Sequence, residues 1–169
     1  MKIFAKTAMG LSWLYYVVWA GQMWLGQILG WHNDIWRAFD FPSQDHAPPM
    51  WTMVVGVIVT VVGLLGLTAV YWGAWRILDG GPQQDFRVLG RNLRAMAVGL
   101  LVFWAGYNLL AAGVQYLVIL AMPDTAGITF RWDPLNVEIL FLILGVVLLA
   151  ISGTFERAWQ AEDETKHFL

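Results

Sequence analysis

The chain contains no cysteine and has few charged residues. Only 13% of its 169 residues are Asp, Glu, Lys or Arg, whereas a soluble domain has about 25%. Without cysteine the chain has no disulfide, thiolate metal site, iron–sulfur cluster or thiol nucleophile. Low charge combined with 59% hydrophobic residues is typical of an integral membrane protein with small extramembrane parts.

Motifs that carry chemistry are also missing. His32, His46 and His167 lie outside the long apolar stretches, which excludes a pair of axial haem ligands within the membrane. His32 and His46 share a segment with Asp34 and Asp45, and these four could hold a metal, but their spacing matches no ligand motif and a solvated loop explains them. No nucleophile–base pair, phosphate loop or dinucleotide fingerprint is present. We therefore expect no enzyme activity, no catalytic residue and no metal site.

Four apolar stretches, each of about 20 residues or more, make up most of the chain. They cover residues 8–30, 50–78, 95–122 and 135–155. As helices rising about 1.5 Å per residue, all four are long enough to cross a bilayer. No Asp, Glu, Lys or Arg lies near the middle of any of them, which argues against a proton-coupled transporter or an ion pump. The sequence predicts one all-α integral membrane domain, residues 1–169, folded as an antiparallel bundle of four transmembrane helices.

Lysine and arginine are divided unequally between the two predicted sides of the membrane. Eight of the ten fall on the side of the termini, and only Arg37 and Arg131 fall on the other. Because cytoplasmic segments carry the excess of Lys and Arg, both termini are predicted to be cytoplasmic, in a bacterial inner membrane. The outer loops are then 31–49 and 123–134, the inner loop is 79–94, and the cytoplasmic tail is 156–169.

Glycines recur mainly at intervals of seven residues in the second and third apolar stretches. Residues at this spacing lie along one narrow stripe of a helix, and small residues there let two helices approach closely. We expect the second and third spans to pair antiparallel along these stripes, with a crossing angle near +20°. The predicted helix-packing residues are Gly56, Gly63, Gly66, Gly73, Gly99, Gly106 and Gly113.

Several tryptophans and amides are predicted to lie deep in the membrane. In one interpretation the rings fill gaps beside the glycines, and the amides form bonds between helices worth about 0.6–2 kcal/mol each. In the other, these side chains line a pocket that binds a lipid, a quinone or a pigment. The first interpretation is simpler and requires no cofactor. The residues concerned are Trp19, Trp24, Gln22, Gln27, Trp104, Asn108 and Gln115.

Two segments in the second half of the chain resemble a known family. Residues 77–82 read Ile-Leu-Asp-Gly-Gly-Pro and precede a Leu- and Arg-rich stretch, 86–94, while residues 145–157 lead into an acidic end. Together they resemble the bacterial four-span membrane proteins grouped as domain of unknown function 2975. The chain departs from that pattern at the inserted residues 83–85 and at Glu156, where a second arginine is expected. The resemblance implies a membrane sensor that holds a cytoplasmic regulator, and it supplies no catalytic residue.

The sequence therefore favours a protein that acts by association. It would be an accessory subunit of a larger membrane complex, or a membrane tether or sensor for a cytoplasmic regulator. The alternative is a binding protein for an apolar small molecule in an intramembrane aromatic pocket. Lipids and a protein partner are expected, whereas a net charge of −2 leaves no basic patch for nucleic acid. The predicted partner surface consists of Arg87, Arg91, Arg94 and Arg157.

Overall fold

The computed structural model shows only helices in the part of the chain that it describes. The described residues are 2–28, 50–80, 85–108, 112–113, 115–121 and 139–167. The helices are α1 (Lys2–Ile28), α2 (Met50–Gly80), α3 (Phe86–Asn108), α4 (Gln115–Ala121) and α5 (Ile139–His167). The predicted outer loops, with His32, His46, Arg37 and Arg131, lie outside these residues.

Three of these helices, α2, α3 and α5, are long and apolar enough to cross a membrane. The prediction of an all-helical fold with helices able to cross a membrane is therefore confirmed for the described residues. The helix α1 has 27 residues but is not among the three, because its Trp, Tyr, Gly and Gln residues make it less apolar. The outward face of α5 is aliphatic, with Leu140, Ile143 and Val146 more than half exposed, as suits a helix in contact with lipid.

The helices α2 and α3 touch through their backbones. A Cβ atom added at Gly99 would lie 2.5 Å from the Gly66 carbonyl oxygen, and one added at Gly66 would lie 2.7 Å from the Gly99 carbonyl oxygen. A Cβ at Gly73 would lie 2.8 Å from the carbonyl oxygen of Asn92. Positions that rise along α2 meet positions that fall along α3, so the two helices are antiparallel. No side chain larger than hydrogen fits at these contacts.

The helices α1 and α5 pack on either side of this pair. On α1, Trp13 Nε1 donates to Thr68 Oγ1 of α2 at 3.0 Å, and Ser12 shares a 2.7 Å hydrogen bond with Tyr71. On α5, Gly145 lies against Leu101 of α3, to which an added Cβ would approach within 3.0 Å. The residue order again reverses across each contact, since Lys6 pairs with Asp79 at the other end of α1 and α2. Each long helix is therefore antiparallel to the long helix before it.

The third predicted span, residues 95–122, coincides with parts of two described helices. The helix α3 runs from Phe86 to Asn108 and α4 from Gln115 to Ala121, Ala112 and Gly113 are π-helical, and residues 109–111 and 114 lie outside the described residues. The Asn108 amide donates to the Trp104 carbonyl oxygen at 2.9 Å. This bond satisfies the amide within its own helix. Gly113 adds backbone freedom at the place where the helical geometry changes.

The contact between α2 and α3 can be tested by adding one methyl group. We predict that Gly99→Ala lowers the thermal midpoint of the purified protein in mild detergent, because the methyl group would press on backbone that cannot move aside. Overpacking of this kind costs about 1–3 kcal/mol. The matched control is Gly153→Ala on α5, where an added Cβ meets nothing within 4 Å. Equal midpoints for the two variants would contradict the contact.

Candidate functional site

A ladder of aromatic rings joins α1, α3 and α5. Tyr15 and Tyr16 are neighbours in α1, with ring centroids 5.8 Å apart, and Tyr16 meets Phe103 of α3 at 6.0 Å. Phe103 in turn meets Phe141 of α5 at 5.4 Å, with an interplanar angle of 85°. All three contacts are edge-to-face, a favoured arrangement for aromatic pairs. The ladder is the connection between α1 and α5 across the face of α3.

Beside this ladder lies a half-open cavity of about 390 Å³. It exists because α1 packs on α2 while α5 packs on α3, which leaves a gap between these outer helices. Gly63 borders the gap without a side chain, and a Cβ added there would meet nothing within 4 Å. All of the long helices contribute lining residues, among them Tyr16, Trp19, Thr60, Gly63, Phe103 and Phe141.

Of the predicted pocket residues, Trp19 lines this cavity and Trp24 has a different environment. Trp24 is buried, and its Nε1 donates to Thr60 Oγ1 at 2.9 Å. Its ring occupies the space that a side chain at Gly56 would need. Trp24 thus fills the gap beside a glycine of α2, which is the first of the two interpretations of the deep tryptophans. Gln22, on the same helix, is exposed.

The remaining predicted pocket residues do not join Trp19. Asn108 bonds the backbone of its own helix through Trp104, as described above. The indole nitrogen of Trp104 is buried and has no hydrogen-bond partner in the described part of the chain. The side chains of Gln27 and Gln115 lie outside what the structure describes. The predicted set is therefore dispersed around the fold, and Trp19 is its one described member in the cavity wall.

Sequence reasoning missed the tyrosines and phenylalanines of the cavity. The prediction was based on tryptophan and amide side chains, whereas the cavity wall also includes Tyr15, Tyr16, Phe103, Tyr107 and Phe141. One signal was present: Tyr15 and Tyr16 precede Trp19 by four and three residues, the spacing that places side chains on one side of a helix. The partners from α3 and α5 have no such local signal.

The predicted helix-packing glycines have unequal surroundings. Besides Gly66, Gly73 and Gly99, a Cβ at Gly106 would lie 3.0 Å from the Gly63 Cα atom. Gly63 is therefore in contact with α3 through its backbone, while its missing side chain leaves the cavity open. Gly113 lies beyond the end of α3, and a Cβ there meets nothing within 4 Å.

Basic residues at the end of the fold that holds Lys6 and Asp79 stack on tryptophan rings. The Lys6 ammonium lies 4.6 Å from the centre of the Trp75 ring and also pairs with Asp79. The Arg76 guanidinium lies 4.9 Å from the Trp72 ring. Cation–π contacts of this kind contribute about 0.5–1 kcal/mol at exposed sites. They position the positive charges beside rings that are typical of the membrane interface.

At the same end, the predicted partner surface falls mainly on one face of α3. Arg87, Arg91 and Arg94 are all exposed and follow the i, i+4, i+7 spacing. The Arg87 guanidinium lies 4.8 Å from the centre of the Trp159 ring of α5. Arg157 is exposed, and its Nε donates to the Gly153 carbonyl oxygen of its own helix at 3.3 Å. By helical periodicity it lies on a different face of α5 from Trp159.

The described residues hold no group of three or more His, Asp or Glu side chains that could bind a metal ion. The fold is thus that of an all-helical protein with three described helices able to cross a membrane and an aromatic cavity between its long helices. No protein-family model, curated protein or solved structure matches the chain. The resemblance to domain of unknown function 2975 stays a prediction.

The place of Trp24 against Gly56 can be tested by a double-mutant cycle. We predict that Gly56→Ala lowers the thermal midpoint, because the methyl group displaces the Trp24 ring and breaks its bond to Thr60. In a Trp24→Ala background the same change should cost much less, since the space is then empty. A coupling of about 0.5–3 kcal/mol is expected for residues in contact. Strictly additive effects would contradict this contact, and Gly21→Ala, whose added Cβ meets nothing within 4 Å, is the control.

Proposed function

We propose that the chain crosses a bacterial inner membrane four times, with both termini in the cytoplasm. The fourth span is α1, which lies alongside α2 from the pair Lys6–Asp79 to the bond between Trp24 and Thr60. A helix that follows a spanning helix over this distance shares its depth in the bilayer. The basic residues support the orientation, since Lys6 near the start of α1, Arg76 near the end of α2 and Arg87 at the start of α3 lie at the same end of the fold.

Within that topology, the protein acts by association and has no enzymatic activity of its own. Its role is to hold a regulator at the cytoplasmic face or to serve as an accessory subunit of a membrane complex. The observation that carries this proposal is the helix α5, which continues beyond bilayer length to His167. Phe155 packs on Phe86 with ring centroids 5.9 Å apart, and Trp159 stacks under Arg87. Because these contacts hold the C-terminal part of α5 against α3, the two helices present a folded surface to a partner.

The chemistry of that surface favours a partner with carboxylate groups. Arg87, Arg91 and Arg94 present guanidinium groups along one exposed face, and guanidinium matches carboxylate in a planar, two-bonded geometry. The neighbouring end of α5 carries acidic residues at Glu162, Asp163 and Glu164. A partner that binds both helices would therefore carry an acidic patch, which faces the arginines of α3, next to a basic patch, which faces the acidic end of α5. Arg157 is the predicted partner residue that this face leaves out.

Site-specific crosslinking in living cells tests the association. A photoreactive residue in place of Arg91 should give a discrete adduct with a soluble cytoplasmic protein, and the double change Arg87→Gln and Arg94→Gln should weaken that adduct several-fold. The loss follows from removing two exposed ion pairs, each worth about 0.2–1 kcal/mol.

Two controls accompany the crosslinking. A photoreactive residue in place of Val146, on the lipid-facing side of α5, should give lipid adducts and no soluble partner. Arg76→Gln removes a positive charge from the same end of the fold but outside the α3 face, and should leave the Arg91 adduct unchanged. An Arg91 position that yields lipid adducts alone would contradict a protein tether at this surface.

A further inference from the structure

We propose that the cavity between α1 and α5 binds a lipid-soluble ring compound that bears carbonyl oxygens, a molecule of the quinone class. This inference rests on the four-span topology proposed above but not on the proposed association. It is based on the cavity's depth in the bilayer, the shape of its walls and the hydrogen-bonding groups around it.

The cavity lies near the middle of the bilayer in the proposed topology. Trp19 is at the centre of the apolar stretch 8–30, and Gly63 is near the centre of the stretch 50–78. The rim is open towards lipid, since Tyr15 is 66% and Trp19 40% exposed. A molecule that reaches the site must therefore enter sideways from the hydrocarbon, which excludes ionised and strongly polar ligands.

The size and walls of the cavity favour a compact ring over an extended chain. A volume of about 390 Å³ is within the range of small-molecule sites, roughly 300–1,000 Å³. The rings of Tyr16, Phe103 and Phe141 stand edge-to-face with one another, and such walls offer both faces and edges to a flat guest. Opposite them, Gly63 presents bare backbone where a side chain would otherwise occupy the space.

The phenol and indole groups at the site are hydrogen-bond donors, so they favour a ligand that carries hydrogen-bond acceptors. Tyr15, Tyr16 and Trp19 line the cavity, and hydrocarbon offers no acceptor to their phenol and indole groups. Thr60 is already engaged, because its Oγ1 accepts from Trp24 and donates to the Gly56 carbonyl oxygen at 2.8 Å. Carbonyl oxygens on a bound ring would satisfy phenol and indole donors. An acyl chain at this depth has no oxygen to offer.

The test measures binding of two probes that share a shape and differ in their oxygens. Menadione, a naphthoquinone, and methylnaphthalene, the same ring system without oxygens, are titrated into the full-length protein in mild detergent. Menadione should bind about three- to tenfold more tightly, as expected for one net hydrogen bond. Tyr16→Phe removes a single oxygen from the wall and should reduce that preference by a similar factor.

A second pair of variants tests the place of binding. Gly63→Leu fills the cavity from α2 and should weaken menadione binding by at least about tenfold, because the ring and the new side chain cannot share the space. Gly21→Leu is the matched control, since it adds the same side chain to α1 at a position that meets nothing within 4 Å and lies outside the cavity wall. It should leave binding unchanged. Thermal midpoints show whether each variant is folded.

Three outcomes would overturn the proposal. Equal affinities for menadione and methylnaphthalene would show that the site does not recognise carbonyl oxygens. If Gly63→Leu and Gly21→Leu weaken menadione binding equally, the binding site is not this cavity. Retention of a phospholipid that neither probe displaces would assign the cavity to acyl chains. If Gly63→Leu fails to fold, Tyr16→Phe still decides the question, since it changes no carbon atom of the wall.

Discussion

The structure depends on the direct contact of two helix backbones. At Gly66 and Gly99 the chain of α2 lies so close to that of α3 that an added Cβ would come within 2.7 Å of a carbonyl oxygen on the other helix. In a membrane the hydrophobic effect does not drive helices together, so close packing of this kind supplies much of the attraction. The same contact fixes the antiparallel register of the two helices.

The close approach of α2 and α3 has a consequence for the outer helices. Because α1 rests on α2 and α5 rests on α3, a space remains between α1 and α5 that aromatic rings of the described helices partly fill. Tyr16, Phe103 and Phe141 span most of that gap, and the remaining volume is the cavity. Gly63 contributes to both features, since its backbone contacts Gly106 while its missing side chain leaves room beside the rings. The packing contact and the cavity thus arise from the same residues.

The sequence predicted the features that depend on periodicity and composition. Apolar block length predicted a helical membrane protein, and in the structure four glycines of the predicted stripes, Gly66, Gly73, Gly99 and Gly106, lie where α2 meets α3. Gly113 shares the spacing but lies in a π-helical pair outside α3, where an added Cβ meets nothing within 4 Å, so it takes no part in this contact.

The cavity could not be predicted from the periodicity of the sequence. Which of Trp19, Trp24 and Trp104 faces open space depends on how each helix is rotated about its axis relative to its neighbours. Trp24 turns towards Gly56 and Thr60, whereas Trp19, five residues earlier in α1, turns towards the gap. The walls contributed by Phe103 and Phe141 come from segments far apart in the chain. Their meeting is a property of the packed fold and has no local pattern in the sequence.

The most direct test of the α2–α3 contact uses the absence of cysteine from the chain. Cysteines in place of Val70 and Val102, whose methyl groups would lie 2.9 and 3.0 Å from Cβ atoms added at Gly99 and Gly66, should be joined within one molecule by a short bifunctional thiol reagent in native membranes. The pair Val54 and Val102 is the comparison, since Val54 lies about 24 Å along α2 from Val70, and it should not be joined. Joining of the second pair, or of neither pair, would contradict the account.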